Sequence, residues 1–470
     1  MAQEHEVMEK VVSLCKRRGF IYQGSEIYGG LAGTWDYGPL GTTLKKNIEN
    51  LWWRMFVDSR DDMYGIDSAI LMNPKVWEAS GHVGGFNDPM VECANCKHRF
   101  RADHVLEAFY EKNPTVAHEQ FAEDLTSLTR DFTAFAKDMV CEECGKKGSL
   151  GLPRQFNMMF KSSVGSTEGG EMPVYLRPET AQGMFVNFKN IIDSYHPKLP
   201  FGIAQIGKSF RNEIAPRDFI FRVRELEIME FEYFISEEMW QEQFEYWRAQ
   251  FHAWFKALGF ASDDIQEIEV GDGDRAHYSK RTMDFYFKYP FGYKEIGGLA
   301  YRTDFDLKNH IEHSKVALEY LNPDGTKLIP HVLEPTFGLG RHILAVIAKA
   351  YTEDELGGES RIFLRFPKHL APVKAAVFPL LKNKPELVAK AREVYVALKK
   401  EIPQIMWDDN GNIGKRYRRQ DEIGTPACIT IDFGTLGTED ASLKDTVTIR
   451  DRDTGEQKRV NISELTNLLK

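Results

Sequence analysis

Nowhere in its 470 residues does the chain string together the roughly 20 apolar residues a helix needs to cross a bilayer. The nearest approach, ILAVIAKAY (Ile343–Tyr351), is far too short. The opening MAQEHEVMEK is acidic and lacks the apolar core of a secretory signal. A cytoplasmic location, with no membrane partner, is the expectation. Cysteine is scarce, with six residues, and a chain this long can build a core that needs no disulfide staple. Positive charge is in deficit: the formal net charge is −10, so the chain as a whole is not a general polyanion binder. The acidic excess lies before Ala371, and beyond it basic and acidic residues nearly balance. Any contact with nucleic acid must rest on local patches. Internal repeats and low-complexity tracts are also missing.

What is present is the mix of an ordinary soluble protein, 42% hydrophobic and 28% charged, and length enough for about three domains. Met8 to Phe20 reads as an amphipathic helix. A glycine-rich turn region follows (Ile27–Gly41), then a helix over Thr42–Asp58 with Leu44, Ile48, Leu51 and Met55 at helical spacing. Leu71 to Gly85 reads as mostly irregular. Residues 90–150 look like an insertion, opened and closed by the pairs Cys93/Cys96 and Cys141/Cys144, with Phe121, Leu125, Leu128 and Phe132 on one helical stripe between them. A strand (Val174–Arg177) and a helix (Thr180–Ile192) precede two long strands, Phe201–Glu213 and Phe219–Phe234, joined as a hairpin. An aromatic-rich helix spans Met239–Leu258. Further strands are expected at Ile296–Asp304 and Lys327–Glu334, and a helix at Gly338–Tyr351. After RFPKHLAP, strands and helices alternate to the end, which predicts a separate α/β domain.

The hairpin carries the chemistry. Alternate residues of a strand share a face. One face of the first strand holds Gln205, Gly207, Ser209, Arg211 and Glu213, and one face of the second holds Arg222, Arg224, Leu226, Ile228 and Glu230. The opposite faces carry Ala204, Ile206 and Phe210, then Phe221, Val223, Met229 and Phe231. One side can pack a core while the other presents arginines and carboxylates inside a cleft, where guanidinium forks suit phosphate.

FRNE (Phe210–Glu213), a loop and FRVREL (Phe221–Leu226) together resemble the second signature of class II aminoacyl-tRNA synthetases. EPTFGLGR (Glu334–Arg341) resembles the third, and the helix after DYGPLG, with Pro39 as its proline, the first. GGLAGTWDYGPLG, VWEASGHVGGFNDPMVEC, FRADH, YLRPETAQGMF, EIGGLAYRTDFDL and KRYRRQDEIGTP are similar to stretches of glycyl-tRNA synthetases of the homodimeric type. The resemblance covers essentially the whole chain. It implies an α+β fold, a class II antiparallel sheet flanked by helices (1–89 and 151–365), the insertion at 90–150, and an α/β anticodon-binding domain at 371–470. It also implies a homodimer. Leu226 departs from the usual Phe, whose ring would stack on adenine. Thr336 replaces a common Ser, keeping the hydroxyl and adding a methyl.

The implied reaction joins glycine to ATP, with Mg²⁺, and passes the glycyl group to glycine tRNA. Positioning and charge neutralisation matter there more than a side-chain nucleophile. The resemblance gives Arg211 and Arg341 the catalytic roles. Arg211 would hold the α-phosphate and the amino-acid carboxylate, and Arg222 and Arg341 the outer phosphates, Arg341 at a helix N-terminus that favours anions. Glu213 would meet the adenine amino group, and Glu295 would hold Mg²⁺. Asn212, Phe221, Val223, Arg224, Glu225, Leu226, Ile296, Gly338, Leu339 and Gly340 complete the expected ATP site. Glycine offers only an ammonium and a carboxylate, so charge must be combined with exclusion. Glu179, Glu230 and Glu334 would converge on the ammonium and Arg101 would close over the pocket. Leu226, Glu227, Ile228, Met229, Pro335, Thr336, Phe337 and Gly338 would form its walls.

The four paired cysteines have the spacing of a zinc knuckle across a long gap. Structural zinc, buried free thiols and redox work all remain open at this point. In the last domain Trp407, Lys415, Arg416, Tyr417, Arg418 and Arg419 form a basic, aromatic cluster suited to unstacked anticodon bases. Other class II synthetases, for threonine, serine, proline or histidine, and a non-catalytic RNA-binding or polymerase-accessory relative are the rival readings. The first group is separated by amino-acid-dependent pyrophosphate exchange. The second would be expected to have lost Arg211, Arg341 or the carboxylates.

Overall fold

In a computed structural model, residues 2–114, 116, 125–165, 171–273, 275–276 and 278–469 are described. The body is built on one seven-stranded sheet made of β1 (Met63–Gly65), β2 (Phe201–Phe210), β3 (Glu225–Ile235), β4 (Ile265–Glu269), β5 (Arg281–Tyr289), β6 (Gly292–Thr303) and β7 (His331–Gly338). The order is β4-β5-β6-β7-β3-β2-β1. All pairs are antiparallel except β1 with β2, where Met63 lies opposite Gly202.

Strand alternation divides the sheet. Met229, Phe231 and Tyr233 of β3, Leu333 and Phe337 of β7 and Phe285 of β5 point to one face and are buried there. They meet α1 (Pro39–Trp53), α3 (Trp240–Ala257) and α4 (Leu339–Ala350). Phe337 stacks on Phe251 at 4.3 Å, and Phe56, just past α1, lies 5.3 Å from Phe337 and 6.0 Å from Trp254 between ring centroids. Pro39 sits at the first turn of α1, where its missing N–H costs nothing. A Cβ on Gly41 would come within 1.9 Å of the Phe20 carbonyl oxygen, so only glycine lets α1 dock that closely. On the other face α2 (Ala181–Tyr195) packs Phe185 and Phe188 against Phe201, Ile203 and Phe234 at one end of the strands. The remaining length of that face is left for polar side chains.

The elements differ from expectation in several places. The second hairpin strand starts at Glu225 instead of Phe219, because Asp218 and Phe219 adopt φ of +59° and +58° and fold Phe219 and Ile220 into the core. The backbone N–H of Arg224 then donates to the Gly33 carbonyl. Arg222 and Arg224 therefore stand in the loop and not on the strand face. Leu71–Gly85 contains two short helices, Pro74–Ala79 and His82–Gly85. The β4–β5 pair lacks an expectation altogether.

Three strands, Asn87–Glu92, Arg99–Arg101 and Arg154–Asn157, anchor the cysteine-bearing segment. Helices Ala102–Lys112 and Leu125–Phe135 pack Leu106, Leu128 and Phe132 against Val91, with Leu125 half-buried. Phe121 of the expected stripe lies outside the described residues. At the C-terminus β8 (Ala375–Pro379), β9 (Ile405–Trp407), β10 (Ala427–Ile431), β11 (Thr446–Asp451) and β12 (Gln457–Asn461) form a sheet in the order β9-β8-β10-β11-β12. Helices α5 (Pro385–Glu401) and α6 (Ile413–Glu422) accompany it. Buried Asp421 of α6 accepts two bonds from Arg450, at 2.8 and 3.0 Å, and one from Arg361 at 3.2 Å.

Phe56→Ala removes a ring from the middle of the aromatic face. A loss of about 3–5 kcal/mol is expected, read as a lower thermal unfolding midpoint. An unchanged midpoint would show that this packing does not hold the sheet.

Candidate active site

The polar face of the sheet carries two adjoining recesses. The first is an arginine-lined cleft bounded by Arg211, Glu213, Phe221, Arg222, Val223, Glu225, Leu226, Glu295, Ile296, Gly338, Gly340 and Arg341. All twelve belong to the expected nucleotide set. Arg341 stands in the first turn of α4, its guanidinium 4.6 Å from the Phe221 ring and 3.0 Å from a Glu295 carboxylate oxygen. Arg222 Nε donates to Glu213 at 2.7 Å. Arg211 Nε donates to the Pro178 carbonyl at 3.1 Å, with the guanidinium over Phe86.

Three expected nucleotide residues do not line this cleft. Leu339 is fully buried in the core beneath α4. Arg224 is held by the carbonyls of Ala32 and Glu213, and Asn212 donates its backbone N–H to Met158. Trp35, Tyr37, Ile220 and Gly297 line it without having been expected. Trp35 and Tyr37 lie in the quoted GTWDYGPLG stretch, which was read only as a turn.

The second recess is acidic. Glu179, Glu230 and Glu334 border it, with Thr336, Asp284 and Tyr278. Glu230 lies opposite Gln205 on β2 and Thr336 on β7, and Ala300 of β6 opposite Glu334, so the sheet register brings these side chains together. Thr336 Oγ1 donates to Glu230 at 2.7 Å, and Thr180 Oγ1 donates to its other oxygen. Glu179 faces His82 Nε2 at 3.3 Å and accepts from Gln182 at 3.0 Å. Arg302, 1% exposed, forks onto Asp306 with two bonds of 2.8 Å and gives a third of 2.7 Å to Glu334. Its guanidinium also lies 3.8 Å from the Tyr278 ring. Sequence reasoning missed Arg302, although the RTDFD spacing puts Asp306 four residues after it.

These environments push the carboxyls apart. Burial drives Glu334 up to about 8, with Arg302 opposing and Glu230 and Glu179 adding to the rise. Burial also raises Glu230, with Glu179 adding to the rise. For Glu179 burial acts upward, but His82 and Arg302 outweigh it and hold the carboxyl well below its usual range. Burial and the neighbouring Glu295 raise Asp284 to about 7. A cation would find convergent anions here.

Of the expected glycine set, Glu179, Ile228, Glu230, Glu334 and Thr336 border the acidic recess. Leu226, Glu227 and Gly338 border the arginine-lined cleft, and Lys45 Nζ donates to Glu227 at 2.6 Å. Met229 and Phe337 are corrections: strand alternation turns both into the aromatic core at 0% exposure. Pro335 is buried opposite Leu299. Arg101 is held by Asp103 and Asp88 at the base of the insertion and borders neither recess.

The four cysteine sulfurs gather within 4.8 Å of one another, with Cys93–Cys144 at 3.8 Å and Cys96–Cys141 at 3.7 Å. Both pairs share one turn: Lys97 N–H donates to the Cys93 carbonyl and Gly145 N–H to that of Cys141, with φ of +61° and +68° at the donors. On α6, Lys415 is exposed and Arg418 and Arg419 half-exposed. Arg416 is a second correction. The helical period turns it inward at 1% exposure, where it donates to the Pro379 and Gly411 carbonyls. Tyr417 also turns inward, bonding Thr430 at 2.7 Å under the Arg450 guanidinium. Trp407 lies half-buried beneath Arg392 at 3.6 Å.

Arg302→Met would leave Asp306 and Glu334 buried without their counter-charge. A destabilisation of about 3–5 kcal/mol is expected, measured by denaturant unfolding. A loss under about 1 kcal/mol would show that the acids neutralise themselves by taking up protons.

Two family comparisons agree with this layout. The tRNA synthetase class II core domain (G, H, P, S and T) matches residues 160–350, and the anticodon binding domain matches 374–470. Among curated relatives, the glycine–tRNA ligase of Clostridium acetobutylicum is 48% identical over 99% of this chain and 99% of its own length. That of Bacillus cereus is 48% identical over 98% of both chains. That of Alkaliphilus oremlandii is 47% identical over 100% of this chain and 99% of its own. Arginines and carboxylates meeting on one sheet face, with whole-length identity of this order, show that the chain belongs to the glycine–tRNA ligase family of class II aminoacyl-tRNA synthetases.

Proposed function

We infer that this chain activates glycine with ATP and transfers the glycyl group to the 3′ end of glycine tRNA. One observation carries the reading: the arginine-lined cleft and the acidic recess share Arg211, Ile228, Glu295 and Thr336. A triphosphate in the first and an amino acid in the second would meet at Arg211. That is where the carboxylate must attack the α-phosphorus and where negative charge builds up. Neutralising that charge with a pre-placed guanidinium lowers the barrier without a covalent enzyme intermediate.

Arg222 and Arg341 suit the outer phosphates, and the N-terminal end of α4 beside Arg341 also favours anions. Glu213, paired with Arg222 in the free protein, suits the adenine amino group. Glu295 offers a hard carboxylate to Mg²⁺, which when bound neutralises phosphate charge. Glu179, Glu230 and Glu334 take the ammonium, Arg302 holding Glu334 in place. The exposed side of α6, with Lys415, Arg418 and Arg419, suits anticodon bases and phosphates. Such a chain works where tRNA is charged, in the cytoplasm.

The cysteine cluster fits zinc. Four thiolates at 2.3 Å from a tetrahedral ion stand about 3.8 Å apart, the spacing of Cys93–Cys144 and Cys96–Cys141. A homodimer is the assembly this reading favours. Ile27 and Tyr28, 89% and 86% exposed in the turn before α1, offer apolar surface for it.

Glycine-dependent pyrophosphate exchange, followed by charging of total tRNA, tests the activity. Glu230→Gln is expected to raise the glycine KM at least tenfold and leave the ATP KM within about twofold. Exchange that does not depend on glycine, or a Glu230→Gln variant with unchanged glycine KM, would sink the assignment. Native mass spectrometry should give twice the 54.0 kDa chain mass with one zinc per chain. Metal-free monomers with an intact fold would contradict both the zinc and the dimer.

A further inference from the structure

Below Glu230 and Glu334, on the same face of the sheet, lies a third acid that the proposed chemistry does not use. Glu232 is 0% exposed. The register pairs Glu230 with Thr336 and Phe234 with Val332, which sets Glu232 directly across from Glu334. On its other side it faces Ile203 of β2. One carboxylate oxygen each of Glu230, Glu232 and Glu334 lies within 4.8 Å of the other two.

Among the described residues, neither oxygen of Glu232 has a hydrogen-bond partner. The cationic donor nearby is already committed, since Arg302 gives its bonds to Asp306 and Glu334. Glu230 takes its two bonds from Thr180 and Thr336. A buried, unpaired carboxylate beside two other acids is too costly to persist, and such a group takes up a proton instead. The charged groups facing it are Glu334, Arg302, Glu230 and Asp306, and burial followed by Glu334 drives its carboxyl well above the usual range. Between Glu232 and Glu334 the more firmly held proton belongs to Glu232, because of the two only Glu334 receives a hydrogen bond from Arg302.

We propose that Glu232 is a positioning residue for the amino-acid substrate: a neutral carboxylic acid whose O–H is donated to Glu334 and steadies that carboxylate toward the bound ammonium. This rests on the glycine-activating reading of the same recess. In the free protein burial pushes the Glu334 carboxyl up to about 8, and it must be ionised to hold an ammonium. A neutral donor behind it makes the ionised state easier to reach, since hydrogen bonds to a charged acceptor are the stronger ones. Glu232 keeps its proton throughout; the one released comes from Glu334. The sign follows: the glycine KM falls as pH rises through the range in which Glu334 ionises.

The test compares Glu232→Gln, which keeps a neutral donor, with Glu232→Met, which fills the space without one. Glycine KM, ATP KM and kcat would be measured by pyrophosphate exchange across pH 6 to 9. Glu232→Gln is expected to stay within about threefold of wild type. Glu232→Met should raise the glycine KM about tenfold or more, with kcat and the ATP KM nearly unchanged. It should also shift the pH midpoint of the glycine KM upward by about one unit, and Glu232→Gln should not. Equal impairment of the two variants would mean that Glu232 acts as an anion and would overturn the proposal, as would an unaffected Met variant. If the Met variant does not fold, infrared spectroscopy of wild type against Glu232→Gln decides: the protonated-carboxyl band must be present in the first and reduced in the second. Its equal strength in both overturns the proposal. Absence of glycine-dependent exchange in the wild type would instead refute the activity itself.

Discussion

A β-strand hands its side chains alternately to two faces, and this fold uses that constraint to keep grease and charge apart within a single sheet. On one face Phe231, Phe285 and Phe337 lock into Trp52, Phe56, Trp247, Phe251 and Trp254. On the other, residues one position away carry Glu230, Glu334 and Arg302. The rigidity of the first face is what makes the second usable. Carboxylates can be held a few ångströms apart only on strands that do not slip, and a one-residue slip would send every acid into the aromatic core.

Clustering acids in this way costs free energy, and the structure offsets it locally. Arg302 spends its donors on Asp306 and Glu334, while Thr180 and Thr336 satisfy Glu230. Gly207 leaves room for Arg177 to cross the sheet, since a Cβ there would meet the Arg177 guanidinium at 2.3 Å. Arg177 then bonds the carbonyls of Lys208 and Ser68. Glu232, left without a hydrogen-bond partner among the described residues, sits behind the acids that line the recess. A recess lined this way favours a cation by charge.

The outlying units follow the same logic of satisfied polar groups. The two cysteine turns, each closed by a backbone bond from Lys97 or Gly145, hold their four sulfurs within 4.8 Å of one another. Helix α6 splits its charges by period: Lys415 is exposed and Arg418 and Arg419 lie half-exposed against Glu359 and Asp408, while Arg416 and Asp421 turn inside. Counting basic residues in that run could not have separated the two groups. Their roles depend on where Pro379, Gly411, Arg361 and Arg450 come to lie in space.

Much of this was legible in the residues alone. Apolar periodicity located the main helices, alternation located the Phe201–Phe210 and Glu225–Ile235 pair, and motif order pointed to the family and to Arg211, Glu213, Arg222, Glu295 and Arg341 as one cleft. Those features are local, and local patterning is written directly in the chain. Only the tertiary structure decided that Arg222 and Arg224 leave the strand, because the left-handed turn at Asp218–Phe219 is driven by burying Phe219 and Ile220. It alone brought Trp35 and Tyr37 to the nucleotide cleft, turned Met229 and Phe337 away from the acidic recess, and set Arg302 and Glu232 among its acids. Each of these depends on contacts between residues tens or hundreds of positions apart, and the energies of such contacts are set by packing and burial that no short stretch of sequence contains.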